Sequence, residues 1–357
     1  MIDDSEANPS DFHLTEDDVD TFFGNGDEKG RQSEDIGASI AAGIEEAVRV
    51  IKATAKRGAF DIKGTVIFED AVLRVKTLKV FNSGKLAFSN MLSFPFIAIA
   101  ADEVIIDNPQ VRAIICRPVG IEFDLQIAEM LKGADGGKAQ DGVPGQGTSQ
   151  RRGVDGGNGY EGPPGGTGGT LNLPPIFLFI KRIRLGTGTK PQSECVELFF
   201  DGLPGGRGGK GGRGGNGGIG ANGQRSSSGF GFCRSGGGDG GHGGYGGMPG
   251  RGGDAGRGGN GAAVFFVAAS DPIEMLKFFS VRQEGGVPGE PGFVGQPGRG
   301  GRAGEGGQGS VHCHGGQRGH DRFNEYVRRP DDGRGAKSLA GARGDQDYIE
   351  RDNGDIF

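Results

Sequence analysis

The stretch Gly205–Gly223 reads GGRGGKGGRGGNGGIGANG, a glycine at every third position with a second glycine beside most of them. The register extends over eight triplets from Gly202 to Arg225, and 238–261 and 286–309 give eight more each. Residues 153–170 keep the same step, and 133–147 keep it with Ala139 in place of one glycine. A period of three held through five runs is a structural instruction, because three residues per turn is the polyproline II helix, which bonds none of its own amides and leaves them free for neighbours. Collagen uses that helix with one buried glycine column, whereas many triplets here carry two glycines and the runs stop after about eight. A bundle of polyglycine II helices from one chain suits GGX triplets better. Each bare face admits another backbone close enough for N–H···O and Cα–H···O bonds. On this logic 202–225 and 238–261 lie inside the bundle, and the proline-rich 286–309 run lies at its margin. An eight-triplet leg spans roughly 75 Å at ~3.1 Å per residue.

Working outward, the runs alternate with apolar blocks. Residues 35–58 place Ile36, Ile40, Ile44, Val48 and Ile51 on one helical stripe, with Gly58 as a stop. Short strand-like blocks follow, among them AFDIKGTVIF, LRVKTLKVF, FPFIAIAADEVII and, after glycine runs, IFLFIKRIRL and AAVFFVAASDP. The expected fold class is therefore mainly β/irregular: a short parallel β-solenoid with an inserted polyglycine II helix bundle, one N-terminal amphipathic helix and disordered termini. In domains, this gives an acidic disordered tail at 1–34, the helix at 35–58, and solenoid rungs at 59–132, continued by 171–201 and 262–285. Bundle insertions occupy 133–170, 202–261 and 286–309, and a charged flexible tail occupies 310–357.

Composition sets limits on function. Glycine supplies 77 of 357 residues, about three times the usual share. No apolar run approaches the roughly 20 residues of a membrane span, and the opening MIDDSEANPSDFHLTEDDVD has no signal-peptide pattern. Localisation stays open between a virion or cell surface reached by leaderless export and the cytoplasm. Residues 1–35 carry twelve acidic and two basic side chains, the composition of a flexible tail. Cys116, Cys195, Cys233 and Cys313 lie far apart with no repeated spacing, which suits neither a disulfide scaffold nor a zinc module.

Glycine-triplet runs joined by short variable loops resemble the polyglycine II sandwich of the receptor-binding tip adhesins on phage long tail fibres, and more loosely the springtail antifreeze type. The resemblance covers about a third of the chain and is architectural. It implies that loops at the far ends of the runs contact a receptor. The matching loop residues are Thr148, Ser149, Gln150, Arg151 and Arg152, and Ser226, Ser227, Ser228, Phe230, Phe232 and Arg234. The functional expectation is a non-enzymatic structural protein acting in surface recognition or adhesion, with a cell-surface receptor or glycan as partner and no cofactor.

Two other classes compete. Arginine-glycine-glycine steps at Arg207, Arg213, Arg251, Arg257 and Arg299 resemble RNA-binding segments, although strict triplets favour arginine as the solvated edge of a packed helix. Self-association into a filament or scaffold is the other. His312, Cys313 and His314, with His320, are weak metal candidates lacking a second ligand pair, so no metal is expected. Arg343-Gly344-Asp345 reads as a chance tripeptide. No base neighbours Cys233 in sequence, and the carboxylates concentrate in the ends, so no enzyme is indicated.

Overall fold

The structure, a computed structural model, describes residues 33–107, 112–186, 194–268 and 278–350. The acidic stretch 1–32 and residues 351–357, both expected as parts of tails, lie outside the described residues. In order the chain forms α1 (Ser33–Ala53), β1 (Arg57–Ile62), β2 (Thr65–Phe68), β3 (Val72–Phe81), β4 (Lys85–Phe88), β5 (Ile97–Asp107), β6 (Ala113–Cys116) and α2 (Ile121–Met130). There follow β7 (Thr148–Ser149), β8 (Arg152–Gly153), β9 (Ile176–Ile180), β10 (Ile183–Leu185), β11 (Val196–Phe199), β12 (Ser227–Gly229), β13 (Phe232–Ser235), β14 (Val264–Ala268), β15 (Phe279–Arg282) and β16 (Gln346–Glu350).

Two parallel sheets make the frame. The first has seven strands in the order β1-β3-β5-β9-β14-β16 with β10 also beside β5, and the second has five, β15-β11-β6-β4-β2. Register keeps like residues in line across the first sheet: Ile97 pairs with Ile176, and Ile176 with Val264. Strands β9 (IFLFI) and β14 (VFFVA) are buried along their whole length because both faces are covered. One face, with Leu178, Ile180 and Phe266, packs with Leu86, Ile115 and Leu198 of the second sheet. The other, with Phe177, Phe179, Phe265 and Val267, lies under Ile44, Ala47, Val48 and Ile51 of α1. Burying three branched side chains of α1 contributes roughly 1.5–3 kcal/mol each, so its amphipathic stripe is what docks the helix.

This architecture corrects the expected fold class. In place of a β-solenoid with a polyglycine II bundle and disordered termini, the described residues form seven- and five-stranded parallel sheets in α/β-like layers with two α-helices among them, one toward the N-terminus. The physical reason lies in the strand blocks. Ala98 and Ala100 of β5 give the first sheet a shallow second face that α1 covers, and the expectation had left the helix unattached. Helix α2 falls where rungs were expected. It is anchored by buried Ile127, and by Arg117, whose Nη1 donates to Asp124 Oδ1 at 2.9 Å and whose Nε donates to Asp201 O at 2.8 Å.

The glycine-rich runs are the long connections between strands, and their amides are paired between runs. Six segments, at 133–147, 153–170, 202–225, 237–261, 285–309 and 314–344, are called first to sixth below. In the third, Gly205, Gly208 and Gly211 donate to carbonyls of Val287, Glu290 and Phe293 in the fifth, each bond 2.8–2.9 Å long. Their neighbours Gly206, Gly209 and Gly212 donate to Gly169, Gly166 and Pro163 of the second, running the opposite way. The fourth donates in the same alternation to the third (Gly253 to Gly209, Gly256 to Gly206) and to the sixth (Gly252 to Gly333, Gly261 to Ala342). A side chain at most of these glycines is excluded. A Cβ on Gly253 would stand 1.9 Å from the Gly166 oxygen, which puts that oxygen roughly 3.4 Å from the glycine Cα, within Cα–H···O range.

Proline marks where bonds stop. Positions of the fifth segment equivalent to Gly205 and Gly208 include Pro288, Pro291 and Pro297, which have no N–H to leave unpaired at that edge. Pro249 falls in the same class in the fourth segment, where the sixth leaves register around Phe323–Asp332. Gly316 and Gly319 pair with Gly307 and Gly304 before this detour, and Gly335 and Gly341 pair with Gly292 and Gly286 after it.

Candidate functional site

Three loops far apart in sequence meet at one end of the glycine segments. The first is the β7–β8 hairpin, in which Thr148 opposes Gly153. Its turn residues Gln150 and Arg151 have φ of 46° and 76°, left-handed values that normally call for Asn or Gly. Non-glycine residues held there cost of order 1 kcal/mol or more and cluster at functional loops. The second is the β12–β13 hairpin, turning at Phe230–Gly231, with Gly231 at φ 76°. The third is a tight turn in which Ser310 and Cys313 exchange backbone bonds of 3.0 and 3.1 Å around Val311 and His312.

Specific links hold the loops together. Arg151 Nη2 donates to Arg225 O at 2.9 Å, and Arg151 O accepts from Gln224 N at 2.9 Å. Ser226 N donates to Gln308 O and Gly237 N to His314 O, at 2.9 and 2.8 Å. A disulfide joins Cys233 of the second loop to Cys313 of the third, 80 positions on. On this base Phe230 stands fully clear at 104% exposure, Val311 at 95% and Phe232 at 55%.

The residues expected at the site are thus gathered, with distinct parts. Thr148, Ser149 and Gln150 are exposed at the first loop, Arg151 braces it against the second, and Arg152 Nη2 turns back to Asp155 Oδ1 at 3.3 Å. Ser227, Ser228, Phe230, Phe232 and Arg234 are exposed on the second hairpin, while Ser226 is half-buried at its base. Two readings change. Cysteine spacing had suited no disulfide scaffold and left oxidation open, and Cys233 and Cys313 are bonded; the third loop had not been joined to the site at all, and only the triplet phase ending at Gly309 could have signalled it. The same bond removes Cys313 as a thiolate ligand, and among the described residues no group of three His, Cys, Asp or Glu side chains could hold a metal. Cys116 and Cys195 are buried, and burial pushes the Cys116 thiol up to about 11.

Sequence reading also missed a device along the segments. Acidic and amide side chains at the third triplet position are not mere decoration. Asp135 Oδ1 accepts from Lys210 N at 2.8 Å, Asp141 Oδ1 from Asn216 N at 2.7 Å, and Asn216 Oδ1 in turn from Arg299 N at 3.0 Å. Asp155 does the same for His242 N, and His242 Nδ1 for His320 N at 2.8 Å. Each satisfies the one amide of a triplet that the glycine bonds leave over. Backbone donation from Lys210 and Asn216 comes first among the causes that hold the Asp135 and Asp141 carboxyls below the usual range; cations three residues back, Lys132 and Lys138, add to it.

The arginine steps divide. Arg251 and Arg257 donate through Nε to Arg334 O and Ala340 O at 3.2 and 3.3 Å, so they tie the fourth segment to the sixth. Arg207 lies over the Phe293 ring at 4.8 Å, and neither it, Arg213 nor Arg299 forms an ion pair among the described residues. In Arg343-Gly344-Asp345, Gly344 exchanges bonds with Gln283 at 2.8 and 2.6 Å, which fixes the tripeptide to the frame. No described helix is long and apolar enough to cross a membrane. No protein-family model matches the chain, and no curated protein matches its sequence.

Proposed function

We propose that the chain is a non-enzymatic binding protein that recognises a surface partner, a receptor protein or its glycan, through the tip where the three loops meet. The observation that carries this reading is the exposure of Phe230, Phe232 and Val311 on a base braced by Arg151 and the Cys233–Cys313 disulfide. Aromatic side chains that need no reordering make efficient interface anchors. Backbone strain at Gln150 and Arg151 supports the same reading, since neither residue eases the turn it occupies.

The test compares the full chain with a Phe230→Ser/Phe232→Ser variant for binding to intact cells and to immobilised glycans. Loss of the parent's binding, with an unchanged unfolding midpoint, is expected; equal binding by the two proteins rejects the reading.

A further inference from the structure

We propose that the outward row of the third segment is a docking track for a linear polyanion, specifically an acidic polysaccharide, separate from the tip. With a three-residue repeat, Arg207, Lys210, Arg213, Asn216, Ile219, Asn222 and Arg225 share one face of the segment. The bonds Asn216 N to Asp141 Oδ1, Arg299 N to Asn216 Oδ1 and Glu305 N to Asn222 Oδ1 set the corresponding rows of the first, third and fifth segments side by side.

Two consequences follow for what this face offers a ligand. First, the Asn216 and Asn222 carbonyl oxygens are occupied by neighbouring amides, so their NH2 groups are the parts left to donate. Second, Arg207, Lys210, Arg213, Arg225, Arg299 and Arg302 form no ion pair among the described residues. Acids on the same face are mostly engaged: Asp135 and Asp141 by Lys132, Lys138 and backbone amides, and Glu305 by Arg318 at 2.9 Å, which leaves Glu290. Arg213 Nε, sealed from solvent, has no acceptor among the described residues. A face made almost wholly of donors selects a partner rich in anionic acceptors.

Charge spacing and the arginines already seated on the nearby aromatic rings decide between polyanions. Arg207, Lys210 and Arg213 stand about 9 Å apart in succession, three residues of a threefold extended backbone, and the row continues through Asn216, Ile219 and Asn222 to Arg225, whose carbonyl receives Arg151 at the tip. Single-stranded nucleic acid is gripped by open aromatic faces as well as charge. The aromatics beside these cations, Phe293 and Phe323, are about half exposed, but each already carries a guanidinium of the face, Arg207 over Phe293 at 4.8 Å and Arg302 over Phe323 at 5.6 Å, so a base could stack there only by displacing it. Charge without stacking matches a polysaccharide bearing carboxylate or sulfate groups.

The experiment uses the full chain and an R207Q/K210Q/R213Q/R299Q/R302Q variant, with heparin as the acidic polysaccharide, dextran as a neutral one and a polythymidine oligonucleotide as the nucleic acid. The parent is expected to bind heparin and not dextran, with affinity falling as salt rises; the variant should bind at least about tenfold more weakly and with a flatter salt dependence. A Phe230→Ser protein should bind heparin like the parent, which keeps this result distinct from failure of the tip reading. Should the five-fold variant unfold, Lys210→Gln and Arg299→Gln, both at exposed positions, carry the measurement singly. Equal heparin binding by parent and variants overturns the proposal, and so does tighter binding of polythymidine than of heparin.

Discussion

Replacing Gly253 by alanine tests the packing of the glycine segments at a close approach between two of them. The new Cβ would meet the Gly166 oxygen at 1.9 Å and the Gly166 carbon at 2.6 Å. Restoring a tolerable C···O distance of ~3.3 Å means opening the two segments by roughly 1.4 Å. Three bonds of 2.8 Å share these atoms: Gly253 N to Gly209 O, Gly292 N to Gly253 O, and Gly209 N to Gly166 O. A shift of that size removes two or three of them, and each buried group left unsatisfied costs about 1–3 kcal/mol. Alanine returns ~0.4–1 kcal/mol by restricting the unfolded chain, so the net loss should be at least about 1 kcal/mol and up to about 9 kcal/mol. Gly137 is the internal control, because a Cβ there meets nothing within 4 Å, and Gly137→Ala should be neutral or stabilising by up to ~1 kcal/mol. Urea unfolding of both variants with the disulfide intact gives the comparison. Equal stability of Gly253→Ala and Gly137→Ala would refute the reasoning.

Acid should weaken the segments, because Asp135, Asp141 and Asp321 have pKa values lowered in the folded state. The sign follows from linkage: their stabilisation is fully present above the unfolded carboxyl value and is lost as pH drops through the lower folded one. Stability should therefore fall below about pH 4, less steeply for Asp135→Asn/Asp141→Asn; parallel acid titrations of the two proteins would contradict this. Cutting the Cys233–Cys313 bond by Cys233→Ser opens a loop of 80 positions, worth about 4.5 kcal/mol in the chain-entropy description, so a midpoint unchanged from the parent would count against the tip as drawn. Replacing Pro288, Pro291 and Pro297 with glycine adds three donors at the fifth segment's edge, and sedimentation should then show more concentration-dependent association than the parent does.

How much of this was readable from residues depends on the kind of signal. Triplet phase showed that a GGX triplet has two bare faces but not what meets them; the structure sets Gly205 against Val287 and Gly206 against Gly169. The Ile44–Ile51 stripe announced α1 for the usual amphipathic reason, but nothing in it said which sheet it would cover. Helix α2 was missed because Ile121–Met130 is short and follows Gly120 with no side-chain cap to mark its start. The sixth segment was mistaken for a tail because Phe323–Asp332 breaks the glycine rhythm, and rhythm was the only cue available. The disulfide was missed because two cysteines 80 positions apart carry no spacing signal; only their segments' pairing brings them together. Asp141 and Asn216 were given no part, as their bonds go to amides in other segments that linear sequence does not reveal.

The most direct measurement is residue-resolved amide exchange across 202–225 in the native chain. Protection should repeat with a period of three: Gly205, Gly206, Gly208 and Gly209 slow, Arg207 and Ile219 fast, and Lys210 and Asn216 slowed by the Asp135 and Asp141 oxygens. Exchange at free-peptide rates throughout, with no such rhythm, would contradict the claim that glycine backbones of separate segments bond to one another and hold the three loops at one end.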